Sequence, residues 1–359
     1  AVRDWEAAEA VLRRALEANP GSADMCGLLG EVLRRSGRAA EALTWYLKAH
    51  QLMPQDWRHK RACGEALTVV HASEARVELE SLTSRALAEA WARPKDLAPM
   101  AVSLLQRSPK TAWIFEPAHE PQPDDLHAAA GVTLLQRLLR APPVPDWAFE
   151  RAMVRLRQHL LGRAMQGGAA FAEHWLPLAA CLADYCWLTD YALEESAEES
   201  SQLEALGQAL ADAVAAGRQP PAVQVALAAA YRNLGRLPQG ERLLAADWPD
   251  CMLPLLRRHL ADPPRERQLA AEIPALFEIA DPVSRQVMAH YDRAPYPRWS
   301  AVPVPPPAAR QQRDAPQPLQ AVLRSRFPLL PAALWPAPGA GEILDAGCGT
   351  GQLTLELAA

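Results

Sequence analysis

Nothing in these 359 residues approaches the ~18 consecutive apolar residues that mark a membrane-spanning helix. The most apolar stretch, Trp175 to Leu188, is interrupted by Asp184. Positive charge is not in excess: 37 lysines and arginines face 42 aspartates and glutamates, a net charge of −5. The arginines alternate with acids along helical patterns, without the clustering on which nucleic-acid binding rests. Neither a nucleic-acid partner nor a membrane is therefore expected. Cysteines are few, and Cys26, Cys63, Cys181, Cys186, Cys251 and Cys348 contain no Cys-x-x-Cys pair. Cys181 and Cys186 have no histidine at ligand spacing, which argues against zinc and predicts buried thiols in a reducing, cytoplasmic compartment with no metal site. His174 and His290 sit beside aromatics without a visible acid and nucleophile, so no triad is nominated. The chain starts at Ala1, inside a helical pattern, and a targeting segment cannot be read from it.

What the chain does have is helical periodicity and proline. Residues 1–70 carry an internal repeat: Ala8, Ala15 and Pro20 recur 34 positions later as Ala42, Ala49 and Pro54. Leu29-Gly30, Leu33, Gly37 and Tyr46 lie between them. Gly30 and Ala42 are small enough to let two antiparallel helices approach closely, Gly37 ends the first helix and Pro54 the second. This unit resembles the tetratricopeptide (TPR) pattern, with the second helix of an earlier repeat before it. Trp57 to Val70 begins a third, with Cys63-Gly64 in the Leu-Gly place. The resemblance implies a groove that binds a protein partner or protein substrate; a helical spacer that binds nothing is the competing reading.

Between 71 and 290 the helical pattern continues without the 34-residue period. Helices are expected over Glu74–Trp91, Leu97–Arg107, Leu126–Leu139 (capped by Asp124), Phe149–Ala164 (capped by Asp146), Phe171–Tyr191 and Ser201–Ala215. The acidic run Glu194 to Glu199 reads as a solvated face, and Ala222 to Leu244 as a degenerate TPR-like hairpin. Trp175, Cys181, Tyr185, Cys186, Trp187 and Tyr191 fall mostly on one stripe, which favours core over a ligand pocket.

From 291 to 340 the chain is a proline-rich linker, with 12 prolines between Pro295 and Pro338. Within 281–299 a short helix starting near Val283 leads to Tyr291 and the turn Ala294-Pro295-Tyr296-Pro297-Arg298-Trp299. That turn is either a rigid clasp anchored by Trp299 or a lid with Tyr291 or Tyr296 stacking on substrate. Over 341–359, Ile343 and Leu344 read as the end of a buried strand, followed by Asp345-Ala346-Gly347-Cys348-Gly349-Thr350-Gly351 and a helical return. The glycines follow Gly-x-Gly-x-Gly rather than the dinucleotide spacing Gly-x-Gly-x-x-Gly, which disfavours a nucleotide-dependent oxidoreductase.

This stretch resembles motif I of class I S-adenosylmethionine-dependent methyltransferases. The Tyr-Pro-Arg-Trp turn is similar to one in bacterial TPR-methyltransferase fusions, with Ala294 where the family has Asn. The resemblance implies that Gly347, Gly349 and Gly351 shape the loop under S-adenosyl-L-methionine, that Asp345 meets its amino group, and that Cys348 and Thr350 pack the turn around Ala346. The expected fold class is thus mainly α: TPR-like antiparallel repeats, a helical middle region, and the first strand-loop-helix of a Rossmann-like α/β domain. Such a domain needs further βα units of roughly 30 residues each, so the chain is expected to be a piece cut at both ends, inactive alone, from a methyltransferase. A TPR adaptor without catalysis is the alternative.

Overall fold

The computed structural model describes residues 4–70, 77–166, 173–272, 280–293, 298 and 300–304; among them every regular element is helical, and no strand occurs. The glycine turn at 342–351, Tyr296 and Trp299 lie outside the described residues, as does the expected strand-loop-helix.

Four helices open the chain: α1 (Trp5–Ala18), α2 (Ala23–Arg35), α3 (Ala39–Leu52) and α4 (Trp57–Leu67). Side-chain caps start three of them: Asp4 accepts from Ala7 N at 2.9 Å, Ser22 from Met25 N at 3.3 Å and Asp56 from Arg58 N at 2.8 Å. Each carries an otherwise unpaired first-turn amide. Buried Cys26, Leu29, Gly30 and Leu33 of α2 follow the i, i+3, i+4, i+7 stripe, and Ala42, Leu43, Tyr46, Ala49 and His50 of α3 face them. Gly37 takes φ +86° between the two, where the Arg38 amide donates back to Leu33 O at 2.9 Å. That left-handed closure favours glycine. A Cβ on Gly30 would lie 2.6 Å from the Tyr46 ring, so the close approach of α2 and α3 depends on its absence.

Helix α5 (Val77–Ala88) touches α4, and a Cβ on Gly64 would meet Trp91 O, in the turn after α5, at 2.7 Å. Gly64 is therefore a close-approach position, but its neighbour is the turn after α5 and not a helix paired as α3 is with α2. The helix expected to run to Trp91 stops earlier, with Ala90 at φ +51° turning the chain so that Trp91 is buried against His50, ring centroids 4.9 Å apart.

The middle region is built around a later helix. Helix α6 (Pro94–Arg107) and a 3-10 turn at Ala112–Phe115 precede α7 (Pro123–Ala130) and α8 (Thr133–Leu139). These two were expected as one helix capped by Asp124. Instead Gln122 is the N-cap and Asp125 accepts from its amide at 2.8 Å, while Gly131-Val132 separates the pair. Helix α9 (Trp147–Gln166) starts as expected, Asp146 accepting from Phe149 N at 2.8 Å. Helix α10 (Leu176–Leu188) has no solvent face: apart from Pro177 and Trp187 its whole length is buried. It packs against α7, α8, α9 and α12 (Ala222–Ala229), with α11 (Ala197–Ala215) lying over α9 and α12. The expected core assignment of Trp175, Cys181, Tyr185 and Cys186 holds. After α12 the expected hairpin is absent: Leu234–Arg236 and Gly240–Ala245 are 3-10 turns, with Gln239 at φ +56°. A π-turn at Arg257–Ala261 leads into α13 (Asp262–Glu272), and α14 (Pro282–Arg293) follows.

Candidate functional site

The first helices of the last two repeats, α2 and α4, lie side by side and leave a groove of about 410 Å3. Its α2 wall is Asp24, Gly27, Leu28 and Glu31; its α4 wall is Arg58, His59, Ala62 and Glu65, with Tyr46 of α3 in the floor. Leu28 follows the core stripe by one position and is 57% exposed, beside a Leu29 that is completely buried. An exposed leucine is ordinary by itself. One set in a concave wall opposite Ala62 is a place for an apolar side chain of another molecule.

The polar residues hold the groove open. Tyr46 donates to Glu31 Oε2 at 3.0 Å, and Arg34 Nη2 lies 2.8 Å from Oε1. Partial burial pushes the Glu31 carboxyl up, but the hydrogen bonds from Arg34, Arg35 and Tyr46 outweigh it and hold the group at about 2. Arg58 bridges the two walls, 2.7 Å from Asp56 and 3.2 Å from Asp24. Arg61 neutralises Glu65 at 2.8 Å. His59 is buried, its ring 3.3 Å from where a Gly27 Cβ would sit. Burial lowers its pKa against the pull of Asp56, so the ring is neutral at pH 7. Its Nε2 has no hydrogen-bond partner and lies 3.9 Å from Asp56 Oδ2. The groove therefore has an apolar wall and charges largely satisfied within the protein, while the unpartnered His59 Nε2 is sealed beneath its surface. It carries no nucleophile with an activating base. Geometrically it is a binding surface rather than a reaction centre.

The residues singled out from sequence are distributed differently. Asp345, Ala346, Gly347, Cys348, Gly349, Thr350 and Gly351 lie outside the described residues, with Tyr296 and Trp299; the backbone of Tyr291 lies in α14 but its side chain is not described. One residue of the aromatic-proline turn, Arg298, is described. It donates to Trp187 O at 2.8 Å, stacks over the Trp187 ring at 4.2 Å and lies 3.5 Å from Asp190. Its anchor is the end of α10 in the helical core. His174 meets His127 at 5.4 Å between ring centroids.

Two buried ionic groups were missed. Asp184, fully buried on α10, pairs with Arg140 Nε at 2.8 Å and with Arg258 Nη1 at 2.7 Å, the latter off the hydrogen-bonding axis. The acidic run read as a solvated face also needs correction. Glu199 is 4% exposed and takes hydrogen bonds from Tyr231, from Gln158 at 3.1 Å and from the Ser196 amide at 2.8 Å. The buried Arg157 lies 3.6 Å from it and 3.9 Å over the Tyr231 ring. The sequence signal was present but weak: Ser196-x-x-Glu199 is a capping box, which commits that glutamate to the helix start. Leu28 carried no signal beyond being off the core stripe.

No curated protein and no solved structure matches the chain. A family model of the tetratricopeptide repeat matches residues 1–63, which take in α1 to α3 and the first part of α4.

Proposed function

We propose that residues 4–70 act as a protein-recruiting module, taking a segment of a partner polypeptide into the groove between α2 and α4. The observation that carries this reading is the exposed Leu28 facing Ala62 in a groove whose own charges are already paired. An apolar side chain of the partner seats between them. Peptides selected against the whole chain from a random display library are expected to lose at least about tenfold in affinity for a Leu28→Glu variant, because truncating or charging a central anchor typically costs 2 kcal/mol or more. Equal binding to the variant would place the contact elsewhere and sink the groove.

The sequence Asp345 to Gly351 supports a second function for the full-length protein: transfer of a methyl group from S-adenosylmethionine, with the repeat region choosing the protein that is modified or bound. The donor supplies an already activated methyl group, so the enzyme's share is positioning and exclusion of water. In this reading Asp345 holds the donor's amino group, and Gly347, Gly349 and Gly351 let the backbone come close. Titration of S-adenosylmethionine into the full-length protein is expected to give saturable binding, weakened at least about tenfold by Gly349→Val, whose Cβ fills the approach. Binding of NADH with none of S-adenosylmethionine would overturn it. Binding of neither would leave the recruiting module as the function.

A further inference from the structure

A second concave site lies away from the groove, among α5, the loop after α6 and the start of α8. Its volume is about 550 Å3, within the range of small-molecule sites. Three cations line it, Arg85, Lys110 and Arg137, against one carboxylate, Glu80. In the repeat region Arg13, Arg34, Arg38, Arg58 and Arg61 each find an acid. Here Lys110 and Arg137 make no ion pair, and Arg85 is only 3.7 Å from Glu89 at the cavity's edge. Two hydroxyls in the wall are also unused. Ser84 and Ser108 are 8% and 6% exposed, yet neither side chain makes a hydrogen bond to protein. Neither hydroxyl oxygen is sealed off, so each is open to a ligand in the cavity. The rest of the wall is apolar, from Ala88, Val132 and Leu134.

We propose that this cavity binds a small organic phosphomonoester: the dianionic head taken by Arg85, Lys110, Arg137 and the two serine hydroxyls, the organic body lying on Val132 and Leu134. The excess of positive charge suits a phosphate monoester, and the combination of guanidinium and hydroxyl donors matches its acceptor oxygens. The site is independent of the groove, and either can fail without the other.

The test is calorimetric titration of the whole chain with phenyl phosphate, inorganic phosphate and a phosphoserine peptide. Phenyl phosphate is expected to bind at one site and more tightly than inorganic phosphate. A Lys110→Gln/Arg137→Gln double variant, altering two exposed and unpaired side chains, is expected to lose at least about tenfold, since each charge-assisted hydrogen bond contributes more than a neutral one. Ser84→Ala is expected to lose about threefold or more for the same reason. Absence of saturable binding, or an unchanged affinity in the double variant, would overturn the site. Inorganic phosphate binding as tightly as phenyl phosphate would remove the organic body from the proposal, and a tighter phosphopeptide would overturn the small-molecule assignment.

Discussion

Replacing Asp184 with alanine is expected to destabilise the protein by about 3–5 kcal/mol, the cost of removing one member of a buried ionic group. Asp184 sits on α10, the helix with no solvent face, and no part of it is exposed. It holds Arg140, at the end of α8, and Arg258, in the π-turn. Both arginines keep about a quarter of their side-chain surface, 26% and 25%, so each can recover some hydration when the acid is lost. That places the effect toward the lower end of the range. Arg140 also donates to Cys251 O at 3.2 Å, which keeps it oriented inward after the substitution and limits the recovery. Urea unfolding of wild type and Asp184→Ala measures the difference directly. A loss under about 1 kcal/mol would mean that these charges behave as a surface pair.

Glu199→Ala is expected to cost about as much, 3–5 kcal/mol for the broken buried pair with roughly 1 kcal/mol for the lost cap included at its upper end. Arg157, at 1% exposure, cannot recover water, and its Nε already lacks a partner. Tyr231 loses the acceptor for its hydroxyl, and the Ser196 amide loses its reciprocal bond. Acid provides a signature that a packing defect would not. Burial pushes the Glu199 carboxyl up, but the bonds from Tyr231, Ser196 and Gln158 prevail and hold its pKa below the ordinary 4.5. A carboxyl depressed in the folded state stabilises above its unfolded pKa and loses that contribution as the pH falls through its folded value. The wild type therefore gives up stability below about pH 4.5 that the variant never had, and the gap between their unfolding midpoints narrows in acid. A gap constant from pH 7 to pH 3 would contradict the ionic account.

These two acids show where reading the chain alone stops. The repeat unit was legible because backbone geometry demanded particular residues at particular places: no side chain at Gly30 against Tyr46, a left-handed turn at Gly37. Helix α10 was legible because nearly every position is apolar, so no orientation exposes a wet face. Polar residues gave no comparable constraint. Whether Glu199 is solvated or buried is decided by Gln158 and Arg157, about forty residues earlier, and Asp184 by Arg140 at a similar separation. Residues 222–244 spell a hairpin in their leucines, yet after α12 Gln239 in the left-handed region and Gly240 tight against Leu234 O leave 3-10 turns in place of a second helix. The break at Gly131 did carry a local signal, since glycine is a weak helix former, and here it is the C-cap of α7. In the groove the architecture was anticipated and its key side chain was not. Leu28 differs from Leu29 only in the face it occupies.

The recruiting groove is the centre of this account, and peptide selection on the whole chain tests it most directly. Selected peptides should share an apolar anchor and compete with one another, and Leu28→Glu should weaken them at least about tenfold while leaving the unfolding midpoint in place, because Leu28 is exposed. Selection that yields no binder, or binders indifferent to Leu28→Glu, would contradict it and leave residues 4–70 as a helical spacer.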